Sequence, residues 1–595
     1  MRTATGREMI RPDYKIIYGL HGGMNTSVPP DQIGDEETAD SLNVVMMDQA
    51  MGVDFGVKKL GSKVYGNPLQ AIEWTGPSGT IYDVLVTDRT FYVWNTGVSD
   101  WLPIPITTTS NPTVNGTVTG AGTNPAIAFT GTAQWTSGKL IGALMDNGRY
   151  LVGVSSGTTS PVTLATPLPV GRTIPNGNTI LPLPTFTSDG TLAIDWTSDP
   201  QRARLQFVNG FDIPQEFNGT LCTPMGDFSG ISLTTARYIN RFNYVTVLAA
   251  TTESGVFRTY RIRRSATGDS TNWSTLNAGF DDLIDTADDI TGLLSVNPKL
   301  VVARRDTLVS AAYYGLGKQV FWYSYGSGGV GCVGLRASTE TRQNSLVLDN
   351  TGIYEYDGNT ALRDVGTKIF NNVLSFTGEL APGTFDKVQI FYVPLLDESW
   401  LLYQATGTTD PQRIFRYSHR RGTWHKRTFA SPLAFRSLGV FTNSNAKRWI
   451  DLTNIWSAAT RPWNSGVNQA KFSTIVLCGA TDNQVYQYDY SVTGDNGIPT
   501  PWYFTSKDYP MPEDWTTVDG VVFYGQGTIQ TVEISLNGGT TYQTIGQNVT
   551  MGPTWMRMEI DCSVTGNFLR LRVSGLDPAF KLSWFAFKTM KSSEL

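Results

Sequence analysis

The chain has 595 residues, which is too long for one hydrophobic core, since single cores stop growing at roughly 250–300 residues. Apolar residues make up 40% and charged residues 16%, with 60 Gly, 16 Trp, 25 Tyr and 27 Phe, a balance that excludes a disordered chain and favours short strands punctuated by turns. The net charge of −5 argues against a free-standing nucleic-acid binder, which carries a basic excess.

The first twenty residues lack the apolar core of a signal peptide. No window approaches the roughly 18 uninterrupted apolar residues of a membrane span, so a soluble protein made in a cytoplasm is expected. Residues 22–61, "GGMNTSVPPDQIGDEETADSLNVVMMDQAMGVDFGVKKLG", hold turn residues, an acidic segment and a small apolar cluster. Asn25, Thr26 and Ser27 followed by Pro29 and Pro30 make an extended lead-in with few hydrogen bonds of its own. Ala39, Leu42 and Val45 then recur at three-residue intervals, enough for one helical turn or for a strand added to another element. Such an arm cannot fold alone, so it must lie along the rest of the chain or along a neighbouring subunit.

From about residue 64 the pattern is strand, turn, strand. "IYDVLVTDRTFYVWN" flanks a polar turn with apolar runs, and related units recur at 204–219, 345–360, 388–404 and 474–490. Each joins an apolar strand through an Asp/Asn/Gly turn to an aromatic-rich strand, as hairpins require. Hairpins repeated this way suit a β-propeller, although their irregular spacing does not fix a blade number. Residues 105–189 are rich in Thr, Gly and Pro, with apolar runs such as "KLIGALM" that favour an inserted β-domain over a linker. Between 270 and 295, Phe280, Leu283, Ile284 and Ala287 fall at helical spacing, and the aspartates among them read as a solvated helix face. A calcium site is the lesser alternative, because the spacing and central Gly of an EF-hand are missing. After residue 500, two-residue alternation with Gly turns indicates a β-sandwich. The expected fold is all-β, with an arm over 1–63 and a propeller-like body over 64–104 and 190–499. An inserted domain over 105–189 and a sandwich over 500–595 complete it.

No catalytic constellation emerges. "GSGGVG" at 326–331 fits GxGxxG but no helix follows to receive a phosphate, and "GVSSG" at 153–157 lacks the strand-to-helix context of a nucleophile elbow. Cys222, Cys332, Cys478 and Cys562 stand far apart and read as small buried hydrophobes, with neither zinc nor a disulfide framework indicated. In "YSHRRGTWHKR" a turn at Gly422 would set His419 opposite His425. Arg420, Arg421, Lys426 and Arg427 oppose a metal there and read as a solvated basic hairpin, or one that touches phosphate or an acidic neighbour. "SLNGGTTY" at 535–542 is similar to the Asp-box turn, with Asn537 in place of Asp, and that turn carries no active site. No cofactor, no metal and no enzymatic activity are expected.

The arm resembles the tail nozzle, or tail tubular B-type, proteins of short-tailed bacteriophages. The resemblance rests on Gly23-Met24-Asn25-Thr26, Pro29-Pro30 and Leu42-Asn43-Val44, then "KKLG" at 58–61 where the family has Arg-x-Gly. Segments 289–315 and 346–358, the Thr/Gly-rich insert and "SLNGG" extend it over most of the chain. It implies a virion structural protein, assembled in the host bacterial cytoplasm, that forms a ring, commonly a hexamer, below the portal and head–tail adaptor. Such a ring retains and conducts double-stranded DNA non-specifically and carries tail fibres. On this reading Asn25, Pro29, Pro30, Leu42, Asn43 and Val44 are subunit or adaptor contacts. Low positive charge would let DNA slide through the lumen. The alternatives are a propeller-based glycan-binding or glycosidase protein of a virion or host surface, and a capsid-stabilising plug.

Overall fold

The computed structural model describes residues 13–591, apart from 19, 47–49, 121, 188–193, 297, 317–318, 326–328, 360, 375–377, 382, 395, 443–472, 490–491, 493, 511–515 and 567. The fold is all-β. Seven four-stranded antiparallel sheets form the body, the first six at 68–103, 195–224, 233–282, 290–325, 338–364 and 389–428. The seventh takes three strands from 435–489 and its fourth, Gly56–Lys59, from the arm. We call these blades one to seven. From blade two to blade seven the first strands of successive blades touch one another, and that of blade seven touches that of blade one, so the first strands surround an axis.

Burial explains the sequence pattern of a blade. The second strand of blade one, Ile81–Thr87, is sandwiched by neighbouring blades, so Val84, Leu85 and Val86 are all fully buried and the run is continuously apolar. The hairpin turn after it is held by Thr87, whose Oγ1 accepts the Thr90 N–H at 2.9 Å. Aromatic and branched side chains fill the spaces between blades. Phe91 of blade one stacks on Phe207 of blade two, and Trp101 of blade one meets Phe441 of blade seven. The ring is thereby closed by packing as well as by the Val57↔Tyr488 pairing.

The insert leaves the body after Asp100–Pro103 and returns before Asp195–Asp199, with its two ends side by side, since Ile106 N–H donates to Pro182 at 3.0 Å. Its own core includes Ile127, Trp135, Ile141, Leu151, Leu164 and Ile180.

The sandwich is assembled from both ends of the chain. One sheet pairs Asp13–Tyr18, Val44–Met46 and Met51–Val53 with Thr516–Gln526, Met556–Gly566 and Lys581–Lys591. The other sets Gly23–Met24 and Glu37–Leu42 beside Trp502–Ser506 and Phe568–Gly575. Ile17, Val44 and Met51 share a core with Phe523, Leu571 and Phe585. The arm thus supplies strands to its own chain, one of the two placements open to it from the sequence, along the rest of the chain or along a neighbouring subunit. Edge backbone left unpaired by the carboxy-terminal strands is satisfied within the same chain.

The helix expected over 270–295 is absent. Gly279–Asp282 is the last strand of blade three and Ile290–Val296 the first of blade four. The aspartates decide this. Asp282 takes a bidentate pair from Arg261 at 2.7 Å, and Asp281 takes Arg264 at 2.6 Å, so both acids are drawn to the neighbouring strand. Among the described residues no helix is long and apolar enough to cross a membrane.

Candidate functional site

Polar chemistry gathers at the junction of arm, blade six and sandwich, and at the axis of the propeller.

At the junction the segments quoted from the arm become keystones. Gly23 adopts φ +73° against blade six, and a Cβ there would stand 2.8 Å from Thr423 Cβ, so only glycine fits. Asn25 is 9% exposed, donates from Nδ2 to Glu37 at 2.8 Å and accepts the Ser27 N–H at 3.1 Å. Glu37 pairs in turn with Lys368 at 2.8 Å. Pro29 is exposed and accepts from Gln32 N–H, while Pro30 is half-buried and accepts the Asp508 N–H at 3.0 Å. Asn43 sits at φ 55° and joins three segments: Nδ2 donates to Pro501, Oδ1 accepts the Thr428 N–H, and its N–H donates to Lys426. Val44 is buried and Leu42 half-buried. Of the six expected contact residues Pro29 is exposed, Pro30 and Leu42 are half-buried, and Asn25, Asn43 and Val44 are buried in the single chain.

The basic hairpin divides in two. Arg420 and Arg421 are exposed at its tip, where Arg421 donates to the Met46 carbonyl. Lys426 and Arg427 are buried, which corrects the expectation of a solvated or phosphate-facing pair. Lys426 Nζ lies 3.0 Å from Asp40 and 3.2 Å from Glu379. Arg427 meets Asp495 at 2.7 Å and Asp54 at 2.9 Å, and Arg416 meets Asp54 at 2.7 Å. Burial raises the Asp54 carboxyl, but the Arg416 and Arg427 guanidiniums and the Tyr488 hydroxyl outweigh it and hold the group well below the usual range. A buried carboxylate flanked by two cations is what makes such burial tolerable. His425 faces Arg416 across the hairpin, and His419 lies in the turn, 3.0 Å from Glu355; the two imidazoles do not face each other. Burial and the Arg416 charge push His425 down to about 3, so it is neutral.

A cavity of about 700 Å³ opens at the axis. Arg336, just before the first strand of blade five, sends Nη1 across it to Gln70 Oε1 of blade one at 2.7 Å. Its Nη2 is buried without a hydrogen-bond partner among the described residues. Glu340 of blade five accepts from Asn240 of blade three at 3.2 Å and from the Ser295 N–H of blade four. Asp195 of blade two accepts the Ile239 N–H at 2.9 Å. Burial pushes the Asp195 carboxyl up to about 6 against the pull of Arg336, and enclosure by the blades raises Glu340 as well. Sequence reasoning singled out none of these residues. They are spread over the chain and share a site only because each begins a blade.

No family model matches the chain, and no curated protein does. Among solved structures, the exo-β-1,3-galactanase of Phanerochaete chrysosporium aligns at 11% identity and a TM-score of 0.22, over 68% of this chain and 96% of its own. The lignostilbene dioxygenase of Pseudomonas brassicacearum aligns at 9% and 0.29, over 66% and 98%. PorZ, a surface component of the type-IX secretion system of Porphyromonas gingivalis, aligns at 11% and 0.29, over 92% and 86%. Similarity at that level carries no argument about activity or partners.

Proposed function

We propose that the chain is a non-catalytic structural subunit of a short-tailed bacteriophage tail, a nozzle protein that works as a ring of copies below the portal and adaptor. The observation that carries the assembly part of this reading is an apolar outer edge on blades three and four. Trp322 is 61% exposed and Tyr314 60%, on the last two strands of blade four, and Tyr325, 47% exposed, ends the outermost of these strands on its other face. Tyr325 donates to Asp285, which brings Ile284, 70% exposed, alongside. Clustered exposed aromatic and branched side chains mark surfaces that meet another protein. The phage part rests on the resemblance of the arm.

Any DNA path lies between copies. Arg336 and Gln70 cross the propeller axis, and a duplex whose major groove alone is about 12 Å wide cannot pass there. The head–tail adaptor, portal and fibres would meet other faces of the ring.

Cryo-electron microscopy of the purified protein, alone and with a portal–adaptor complex, tests this. A closed ring with its lumen between subunits is expected, and Trp322→Glu with Tyr325→Glu should leave folded single chains. A monodisperse single chain that ignores the portal at high concentration overturns the reading.

A further inference from the structure

The axial cavity is open at its mouth, has both polar and apolar walls and is not explained by the assembly reading. We propose that it is a binding site for a neutral polyhydroxylated ligand, the size of one or two pyranose rings. The inference concerns the single chain and stands whether or not copies form a ring.

Three observations on the cavity carry it. Its volume of about 700 Å³ lies within the range of small-molecule sites, roughly 300–1,000 Å³. Its polar groups are of both kinds: Arg336 Nη1 reaches Gln70 Oε1 across it at 2.7 Å, and the Asp195 and Glu340 carboxyls belong to its wall. Its lining mixes hydroxyl-compatible groups with flat apolar surface. Asp195 and Glu340 can accept hydroxyl hydrogens, Arg336 can donate to a hydroxyl or ring oxygen, and Trp196, Leu293 and Phe391 contribute apolar wall.

Charge selects the class. Asp195 lies within the field of Arg336 and Glu340 shares the wall, while Arg241, the other cation there, is already held by Asp199 at 2.9 Å. When both acids are ionised the wall carries no spare positive charge, so phosphate and carboxylated sugars are disfavoured. A hydroxylated neutral ligand meets donors and acceptors alike.

The test is saturation-transfer NMR and calorimetry on the full chain with glucose, galactose, N-acetylglucosamine, lactose and cellobiose, and with glucuronate and inorganic phosphate as anionic probes. Saturable binding of at least one neutral sugar is expected, weakened about tenfold or more by Glu340→Gln and by Arg336→Lys in proteins that melt like the wild type. Should Arg336→Lys fail to fold, Glu340→Gln decides, since Glu340 is exposed to the cavity. No saturation by any neutral sugar up to about 10 mM overturns the proposal. So does binding that neither variant alters, and so does preferential binding of phosphate or glucuronate.

Discussion

Arg427 and Asp54 meet 2.9 Å apart, each side chain 2% exposed, at the point where the arm, blade six and the closing strand of blade seven converge. The same carboxylate takes Arg416 and the Tyr488 hydroxyl, and the same guanidinium reaches Asp495. One acid therefore ties the arm to strands of two blades. Removing one partner of a buried pair strands the other charges in a low dielectric. Asp54→Asn should lower stability by about 3–5 kcal/mol, read as a fall in the urea midpoint. A loss under about 1 kcal/mol would show that the two arginines find other compensation.

Asn43 tests the neighbouring joint. Its φ of 55° is unfavourable for most side chains, and its amide fastens Pro501 of the sandwich to Thr428 of blade six. Asn43→Ala loses both buried bonds and adds left-handed strain, for about 2–4 kcal/mol in all. Asn43→Gly keeps the backbone conformation and loses only the bonds. The alanine variant should therefore melt below the glycine variant; the reverse order would mean that backbone strain plays no part.

How far the sequence announced this structure differs by element. The hairpins at 204–219, 345–360, 388–404 and 474–490 hold adjacent strands of blades two, five, six and seven, because each carries its own turn chemistry and its apolar runs are local. The ring closure could not be read, since Gly56–Lys59 pairs with Val485–Asp489, more than four hundred residues away, and four residues have no period. The arm's pairing with the sandwich was hidden for the same reason. Phe280, Leu283, Ile284 and Ala287 imitate a helix. Their spacing carries no information about Arg261 and Arg264, which hold the intervening aspartates. Lys426 and Arg427 read as surface because charge is ordinarily exposed, and their partners Asp40, Asp54 and Asp495 are distant in sequence.

The pH response follows from groups with opposite signs. His425 is neutral in the fold, pushed down to about 3 by burial and by Arg416, whereas an unfolded histidine titrates near 6.5. Between those values the unfolded state binds more protons, so the His425 contribution is full above about pH 6.5 and is lost as pH falls, by up to about 1.4 kcal/mol per unit. Asp195, raised to about 6, acts oppositely: its carboxyl costs stability as pH rises from its ordinary value towards 6. Wild type should lose stability relative to His425→Gln on acidification below pH 6.5. It should also lose stability relative to Asp195→Asn as pH rises from 4 to 6. Parallel melting curves across that window for either pair would show that the group does not titrate as placed.

The inserted domain supplies the last prediction. Its ends lie together at Ile106 and Pro182, and its apolar side chains form a core of their own around Ile141, Leu164 and Ile180. Contact with the body is chiefly polar at Arg149, which lies 2.6 Å from Asp100, with a small apolar patch at Leu140, Val152 and Leu183. A domain of this size can bury enough apolar surface to fold alone. Residues 105–187 expressed separately should give dispersed amide resonances and a cooperative melt. The full chain with 107–181 replaced by a short glycine linker should retain the propeller, at a cost near that of the lost patch and ion pair. If the isolated segment stays unfolded while the shortened chain also fails to fold, the insert and blade one are one cooperative unit, and its separate core is not sufficient for independence.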